Sequence, residues 1–215
     1  MEGPLYDLGC PSGHKALVLL GNPKHEVLFQ LAAYSLLDTN YRDTVLTSTS
    51  SLEAFWYFAL QCIYASEGVE QLPVPRARNT RQLFEQRWAD TFKTTPPVLE
   101  AEDYDFRSRV IHEGVIPTEG EAFAHADKVL VLIAPAMQRL RWDLQGAVGQ
   151  ASAAIIAEAK TRLGLGEPTA AIQDATILHD NESMNYRRLA DYMSQLKKLD
   201  ALFATLSRAN HPRGA

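Results

Sequence analysis

Apolar and polar positions divide this chain into short apolar runs and longer segments of helical spacing. Lys15 to Leu20 reads Lys-Ala-Leu-Val-Leu-Leu and lies between Gly13 and Gly21-Asn22-Pro23. A short apolar run bounded by turn residues is the pattern of a strand buried on both faces. From His25 to Leu37 the apolar positions Val27, Leu28, Leu31, Tyr34 and Leu37 fall at helical spacing. Asp43 to Thr47 reads as a second strand and runs into the hydroxyls of Ser48, Thr49, Ser50 and Ser51. Leu52 to Ala65 is apolar on nearly every side, which predicts a buried helix. Ser50 or Ser51 would be its N-cap, with Glu53 in the first turn.

Asp127 to Ala134 (Asp-Lys-Val-Leu-Val-Leu-Ile-Ala) carries the strongest strand pattern, and Pro135 closes it. Leu140 to Leu163 predicts a long helix, stopped by Gly164 and Gly166 with Pro168 beyond. Ala171 to His179 reads as a fourth strand and Met184 to Leu206 as a final helix. Alternating strands and helices predict an α/β fold with a small parallel, Rossmann-like sheet and right-handed crossovers. The stretch 67–126 interrupts the alternation. It holds one clear helix, Thr80 to Lys93, and an irregular acidic segment from Val98 to Gly120, and it reads as an insertion over the C-terminal edge of the sheet. A single domain over 1–210, with a C-terminal oligomerisation helix at 184–208 and a flexible tail at 211–215, is the expected organisation.

Composition narrows the classes. The chain has 215 residues, enough for one sizeable core, and a net charge of −5 that excludes a uniformly basic nucleic-acid binder. Its two cysteines, Cys10 and Cys62, form no CxxC pair, so neither a zinc site nor a disulfide framework is expected. The six histidines form no HxH or HExxH pair, and no metal or other cofactor is expected. The N-terminus lacks the basic start and apolar run of a signal peptide, and Leu52 to Ala65 is too short to span a bilayer. The expected location is the cytoplasm.

In an open parallel sheet, ligands sit beyond the carboxyl ends of the strands. Two loops qualify: Gly21-Asn22-Pro23-Lys24, and the hydroxyl cluster with Ser48 and Ser50. Each leads into a helix N-terminus, whose free N–H groups suit a phosphate; plain helix capping explains one serine equally well. No GxxxxGK[ST], GxGxxG or GxSxG is present.

The succession of an apolar strand, Gly-x-Pro, a helix, a strand, a Ser/Thr loop and then Ala126-Asp127-Lys128-Val129-Leu130-Val131-Leu132 resembles the nucleoside 2-deoxyribosyltransferase-like group. The resemblance covers the first strand unit and Asp127 to Ala154. In that group an Asp opens the later strand, where Asp127 stands here. The family's Gly-Ala-x-x-Glu-x-x-x-Ala is matched by Gly146-Ala147-Val148-Gly149-Gln150-Ala151-Ser152-Ala153-Ala154, with Gln150 in place of the nucleophilic Glu. A neutral amide is a poor nucleophile and cannot steady an oxocarbenium-like centre. The resemblance therefore implies a nucleotide-handling site, with Gln150 among the ligand-binding residues and transferase chemistry lost or moved. Asp127 and Asp143 are the carboxylates that could serve an enzyme, although Asp143 also suits the first turn of its helix. As a whole the chain also resembles the phage single-stranded-DNA-binding cofactors of RNA polymerase, a likeness carried by no single motif. It implies single-stranded DNA and RNA polymerase as partners and, for a phage-encoded chain, the host cytoplasm.

Charge is unevenly distributed. Arg76, Arg78, Arg81, Arg87 and Lys93 stand against Glu85 and Asp90, with Phe84, Trp88 and Phe92 among them. Arginines contact phosphates and rings stack on unpaired bases, which suits single-stranded nucleic acid. The rings are also spaced i, i+4, i+8, the pattern of a core-facing stripe with a solvated basic flank. Thr94 to Asp127 is strongly acidic. In the last helix Leu189, Tyr192, Leu196, Leu199, Phe203 and Leu206 follow the seam of a coiled coil, so a homo-oligomer through 186–206 and docking on the same subunit are both open. The expectation is a non-enzymatic protein that binds nucleotide or single-stranded nucleic acid. The alternatives are an enzyme of the nucleoside N-glycosidic bond and a structural or assembly protein.

Overall fold

A computed structural model describes residues 5–9, 15–69, 77–164, 170–172 and 188–210. In chain order the elements are β1 (Leu5–Gly9), β2 (Lys15–Leu20), α1 (Lys24–Leu37), α2 (Tyr41–Ser66), α3 (Ala77–Phe92), α4 (Ala101–His112), α5 (Glu119–Asp143), α6 (Gln145–Leu163), β3 (Ala170–Ile172) and α7 (Leu189–Asn210). The architecture is a helical bundle, not the α/β fold with a parallel Rossmann-like sheet that the pattern predicts. Such sheet as there is has three strands in the order β1-β2-β3, and its longer pairing, β1 with β2, is antiparallel. Among the described residues only β2 and β3 run parallel. Of the predicted strand at Ala171 to His179, Ala171 and Ile172 lie in β3, and the rest lies outside the described residues.

Two predicted strands are helix, each for a readable reason. Asp43 to Thr47 and the hydroxyls after it belong to one 26-residue helix, α2. Asn40 is its N-cap and accepts from the Asp43 N–H. Hydroxyls inside a helix compete with its backbone, but here they bond back to the preceding turn. The Ser48 hydroxyl donates to the Val45 carbonyl at 3.2 Å, Thr49 to Val45 at 2.9 Å and Ser50 to Leu46 at 2.9 Å. Ser51 instead reaches across to α1 and donates to the His25 carbonyl at 2.6 Å.

Asp127 to Ala134 lies in the middle of α5. An apolar run of this length fits a buried strand or a buried helix, and the flanks decide. The buried positions are Ala122, His125, Ala126, Val129, Leu130, Ile133, Ala136, Met137 and Leu140, a helical stripe that extends well past the run at both ends. Upstream, Thr118 and Glu121 form a capping box: the Thr118 hydroxyl accepts from the Glu121 N–H, and the Glu121 carboxylate accepts from the Thr118 N–H at 2.8 Å. That pattern, Ser/Thr-x-x-Glu before an apolar run, marks a helix start. Pro135 sits inside the helix rather than ending a strand.

Helix α2 is the central element. Helices α1, α3, α4, α5 and α6 all pack on it, and its Leu52, Phe55, Phe58, Ala59, Leu60, Cys62 and Ile63 are buried. The stretch 67–126 contributes Phe84, Trp88, Phe92, Leu99, Val110 and Ala122 to the same core. The acidic segment read as irregular contains α4. Gly164 ends α6 with φ of 65°, a left-handed residue at the C-cap, which a glycine adopts without the Cβ penalty. No helix among the described residues is long and apolar enough to cross a membrane.

Candidate functional site

The residues predicted to bind nucleic acid do not form one exposed face. Arg76 lies outside the described residues, and the Arg78 side chain does too. Trp88 is 3 % exposed and belongs to an aromatic file in the core. Its ring meets Phe84 at 5.5 Å, Phe92 at 4.4 Å and Phe55 of α2 at 6.4 Å, and its indole N–H donates to the Thr94 hydroxyl at 3.2 Å. A ring so placed cannot stack on a base. Arg81 donates to Glu85 at 2.7 Å and lies 4.6 Å from the Tyr104 ring centre. Arg87 is paired with Glu67 and sits over Tyr64 at 5.0 Å. Lys93 is exposed and takes φ of 55° just past the end of α3. The aromatic stripe is therefore core, and two of its flanking arginines are spent in ion pairs.

The predicted phosphate loops fare unevenly. Ser48 and Ser50 are inside α2, and their hydroxyls are turned back on its own carbonyls. Gly21 and Asn22 are buried at the α1 N-terminus, and Lys24 is exposed. The Asn22 amide donates to the Glu26 carboxylate at 3.0 Å, and Glu26 is only 1 % exposed. Helix α1 has no side-chain cap, and the Glu26 carboxyl stands in its first turn. His25 is fully buried between Phe55, at 5.5 Å, and Phe58, at 5.1 Å.

The two candidate carboxylates separate. Asp127 fastens helices together: one of its oxygens accepts from the Leu189 N–H at 2.7 Å and the other from Arg188 at 2.9 Å. It thus caps the first turn of α7 from α5, an arrangement the sequence spacing of about sixty residues could not reveal. Asp143, at the end of α5, forms an ion pair with Arg139.

Asp143 and Gln150 are the two predicted residues that the fold brings together. They line an open groove of about 520 Å³ with Ser66 of α2, Leu144, Gln145, Gly146 and Ala147. Helix α6 begins at Gln145, one of the residues lining this groove, and its N-cap, Leu144, makes no side-chain cap. The first N–H groups of a helix have no intrahelical partner. At Gly146, which lines the groove, a Cβ would meet nothing within 4 Å. The arrangement offers hydrogen-bond donors at the positive end of a helix dipole, two neutral amides (Gln145 and Gln150), and a carboxylate already balanced by an arginine.

A second polar cluster lies between α2, α4 and α5, and sequence reasoning missed it. His125 is buried and its Nε2 lies 2.8 Å from the Thr49 hydroxyl oxygen. Because that hydroxyl donates to Val45, the imidazole supplies the proton of this bond. Burial, offset by Asp103 and reinforced by Lys128 and Arg107, pushes the His125 imidazole down to about 4. Asp103 is 8 % exposed and is held by Lys128. Nearby, Arg107 lies 3.8 Å from Glu53. The buried Tyr104 phenol, with no hydrogen-bond partner among the described residues, is pushed up to about 12 by burial, partly offset by Arg81.

Among the described residues no group of three or more His, Cys, Asp or Glu side chains could hold a metal ion. On α7, Leu189, Tyr192 and Leu196 are fully buried, with Tyr192 edge-on to Phe29 at 5.2 Å, so this half of the seam docks on its own subunit. Leu199 is 37 % exposed. Phe203 and Leu206 lie on α7, but their side chains fall outside the description. Compared with protein-family models, with curated proteins and with solved structures, the chain matches none.

Proposed function

We propose that this protein binds a small phosphate-bearing ligand of nucleotide size, without catalysis, in the groove between α5 and α6. The observation that carries the reading is the α6 N-terminus, uncapped by any side chain, in the lining of a groove that also holds Asp143, Gln145 and Gln150. Free N–H groups and the helix dipole favour a phosphate there. The groove volume of about 520 Å³ falls within the range of small-molecule sites. Gln150 and Gln145 can donate and accept hydrogen bonds but cannot act as nucleophiles at a sugar carbon. Asp127, the other carboxylate that an N-glycosidic enzyme would need, is committed to α7. A free nucleotide fits better than a strand, because the rings of α3 are core rather than a stacking platform. The place of action is the cytoplasm, where nucleotides are abundant and Cys62 persists as a thiol.

The test is calorimetric titration with adenosine monophosphate, adenosine and inorganic phosphate, beside an assay for released base. Binding of the monophosphate over the nucleoside by tenfold or more, with no base released, is expected. Gln150→Ala weakens that binding by about 1 kcal/mol, the worth of one hydrogen bond. Equal binding of nucleoside and nucleotide would remove the phosphate from the reading, and free base would replace binding with hydrolysis.

A further inference from the structure

The His125 cluster plays no part in the groove, and its geometry is that of a latch. The imidazole lies where three helices meet. From α2 the facing group is the Thr49 hydroxyl; from α4 they are Phe106, whose ring is 5.8 Å away, and the charged Asp103 and Arg107; from α5 itself, Lys128. Nε2 is satisfied by Thr49, whereas Nδ1 is buried with no hydrogen-bond partner among the described residues. The neutral ring tolerates this, since Nδ1 is then only a weak, unmet acceptor. A second proton would place an N–H and a positive charge at Nδ1, buried and without an acceptor. Asp103, the carboxylate of this cluster, is already held by Lys128. Helix α4 is the least anchored wall of the cluster. Of its twelve residues only Asp103 and Val110 are buried, whereas α2 and α5 form the core.

We infer that His125 is an acid-sensitive latch on α4: the helix stays docked while the imidazole is neutral and swings off the α2–α5 seam when it is protonated. The direction follows from linkage. Docked, the imidazole takes up a proton only near pH 4; exposed, it does so near its ordinary value of about 6.5. The open form therefore binds more protons between these values, and opening becomes easier as pH falls through that window. At pH 5 the opening equilibrium of α4 is about 25-fold larger than at pH 7.5, because the exposed imidazole is then almost wholly protonated and the docked one is not.

Hydrogen exchange read by mass spectrometry at pH 7.5 and pH 5, corrected for intrinsic exchange, tests this on the full chain. The peptide covering Ala101–His112 should lose protection by about 25-fold at pH 5 while peptides of α2 keep theirs. In His125→Gln, which keeps a hydrogen-bonding group for Thr49 but has no proton to gain in this range, the α4 response should vanish. Unchanged α4 protection in the wild type, an equal response in the variant, or loss of α2 and α4 protection in step would each overturn the latch. If the variant does not fold, the wild-type protein decides by NMR. A His125 ring resonance that titrates above pH 6 while α4 remains protected would contradict the proposal.

Discussion

Asp127 shows how much one side chain can fix. Its two oxygens take the Leu189 N–H and the Arg188 guanidinium, so it holds the start of α7 onto α5. An acceptor at a helix N-terminus is worth about 0.5–2 kcal/mol, and the helix dipole adds to a negative one. Asp127→Ala should lower the urea unfolding free energy by about 1–2 kcal/mol and speed amide exchange in the first turn of α7. Asp127→Asn, which keeps an acceptor, should cost less. Equal losses for the two variants would show that the acceptor oxygen is not what matters. Cys62 gives a second test at this scale. Burial pushes its thiol up to about 12, so there is almost no thiolate at neutral pH. In a Cys10→Ser chain, Cys62 should react with a maleimide only after unfolding. Rapid labelling of the native protein would place Cys62 at the surface. The burial of Cys62 was legible from the apolar run Leu52 to Ala65, whereas the role of Asp127 was not. Asp127 looked like the opening of a strand, because a cap supplied from another helix leaves no local spacing to read.

Among the elements, α3 gives the sharpest test of core against interface. Phe84 and Trp88 close an aromatic file with Phe55 and Trp56 of α2, and the Trp56 indole donates to the Pro97 carbonyl at 3.1 Å. Trp88→Ala should cost about 3–5 kcal/mol of stability, the range for truncating a buried large aromatic. A variant of unchanged stability but weakened binding to single-stranded DNA would restore the interface reading. The i, i+4, i+8 spacing of the three rings allowed this packing, but the expectation that Trp88 binds nucleic acid is overturned by its burial. The α1 helix and the glycine stop of α6 were legible, because helical spacing and a left-handed C-cap are local signals. The strands expected at 43–47 and 127–134 were not. In both, β-branched and apolar residues favoured a strand locally, and the deciding information lay outside the run. For α5 it was the Thr118–Glu121 capping box and a buried stripe reaching Leu140; for α2 it was the Asn40 cap and hydroxyls satisfied by their own helix.

For the molecule as a whole, replacing a parallel sheet by a helical bundle moves the expected site. A parallel sheet would have gathered ligands at its strand ends, where Ser48 and Ser50 were placed; inside α2 their hydroxyls donate to carbonyls of their own helix. Asp143 and Gln150, expected in separate roles, line one groove where α5 gives way to α6. Their nearness was partly legible, since they stand seven positions apart with Gly146 and Gly149 between them. The joint between the two helices, which turns them toward one groove with Ser66, was not. Gly146→Asp probes this site with two opposed readouts. Replacing a helical glycine and adding a negative charge in the first turn should leave stability unchanged or raise it by about 0.5–1 kcal/mol. The same charge should repel a phosphate. The most direct measurement is therefore the titration of adenosine monophosphate into wild type and Gly146→Asp, with the melting temperature of each. Binding by the wild type, lost by tenfold or more in a variant at least as stable, is the predicted result. No binding by the wild type, or equal binding by both, would contradict a phosphate site at the α6 N-terminus.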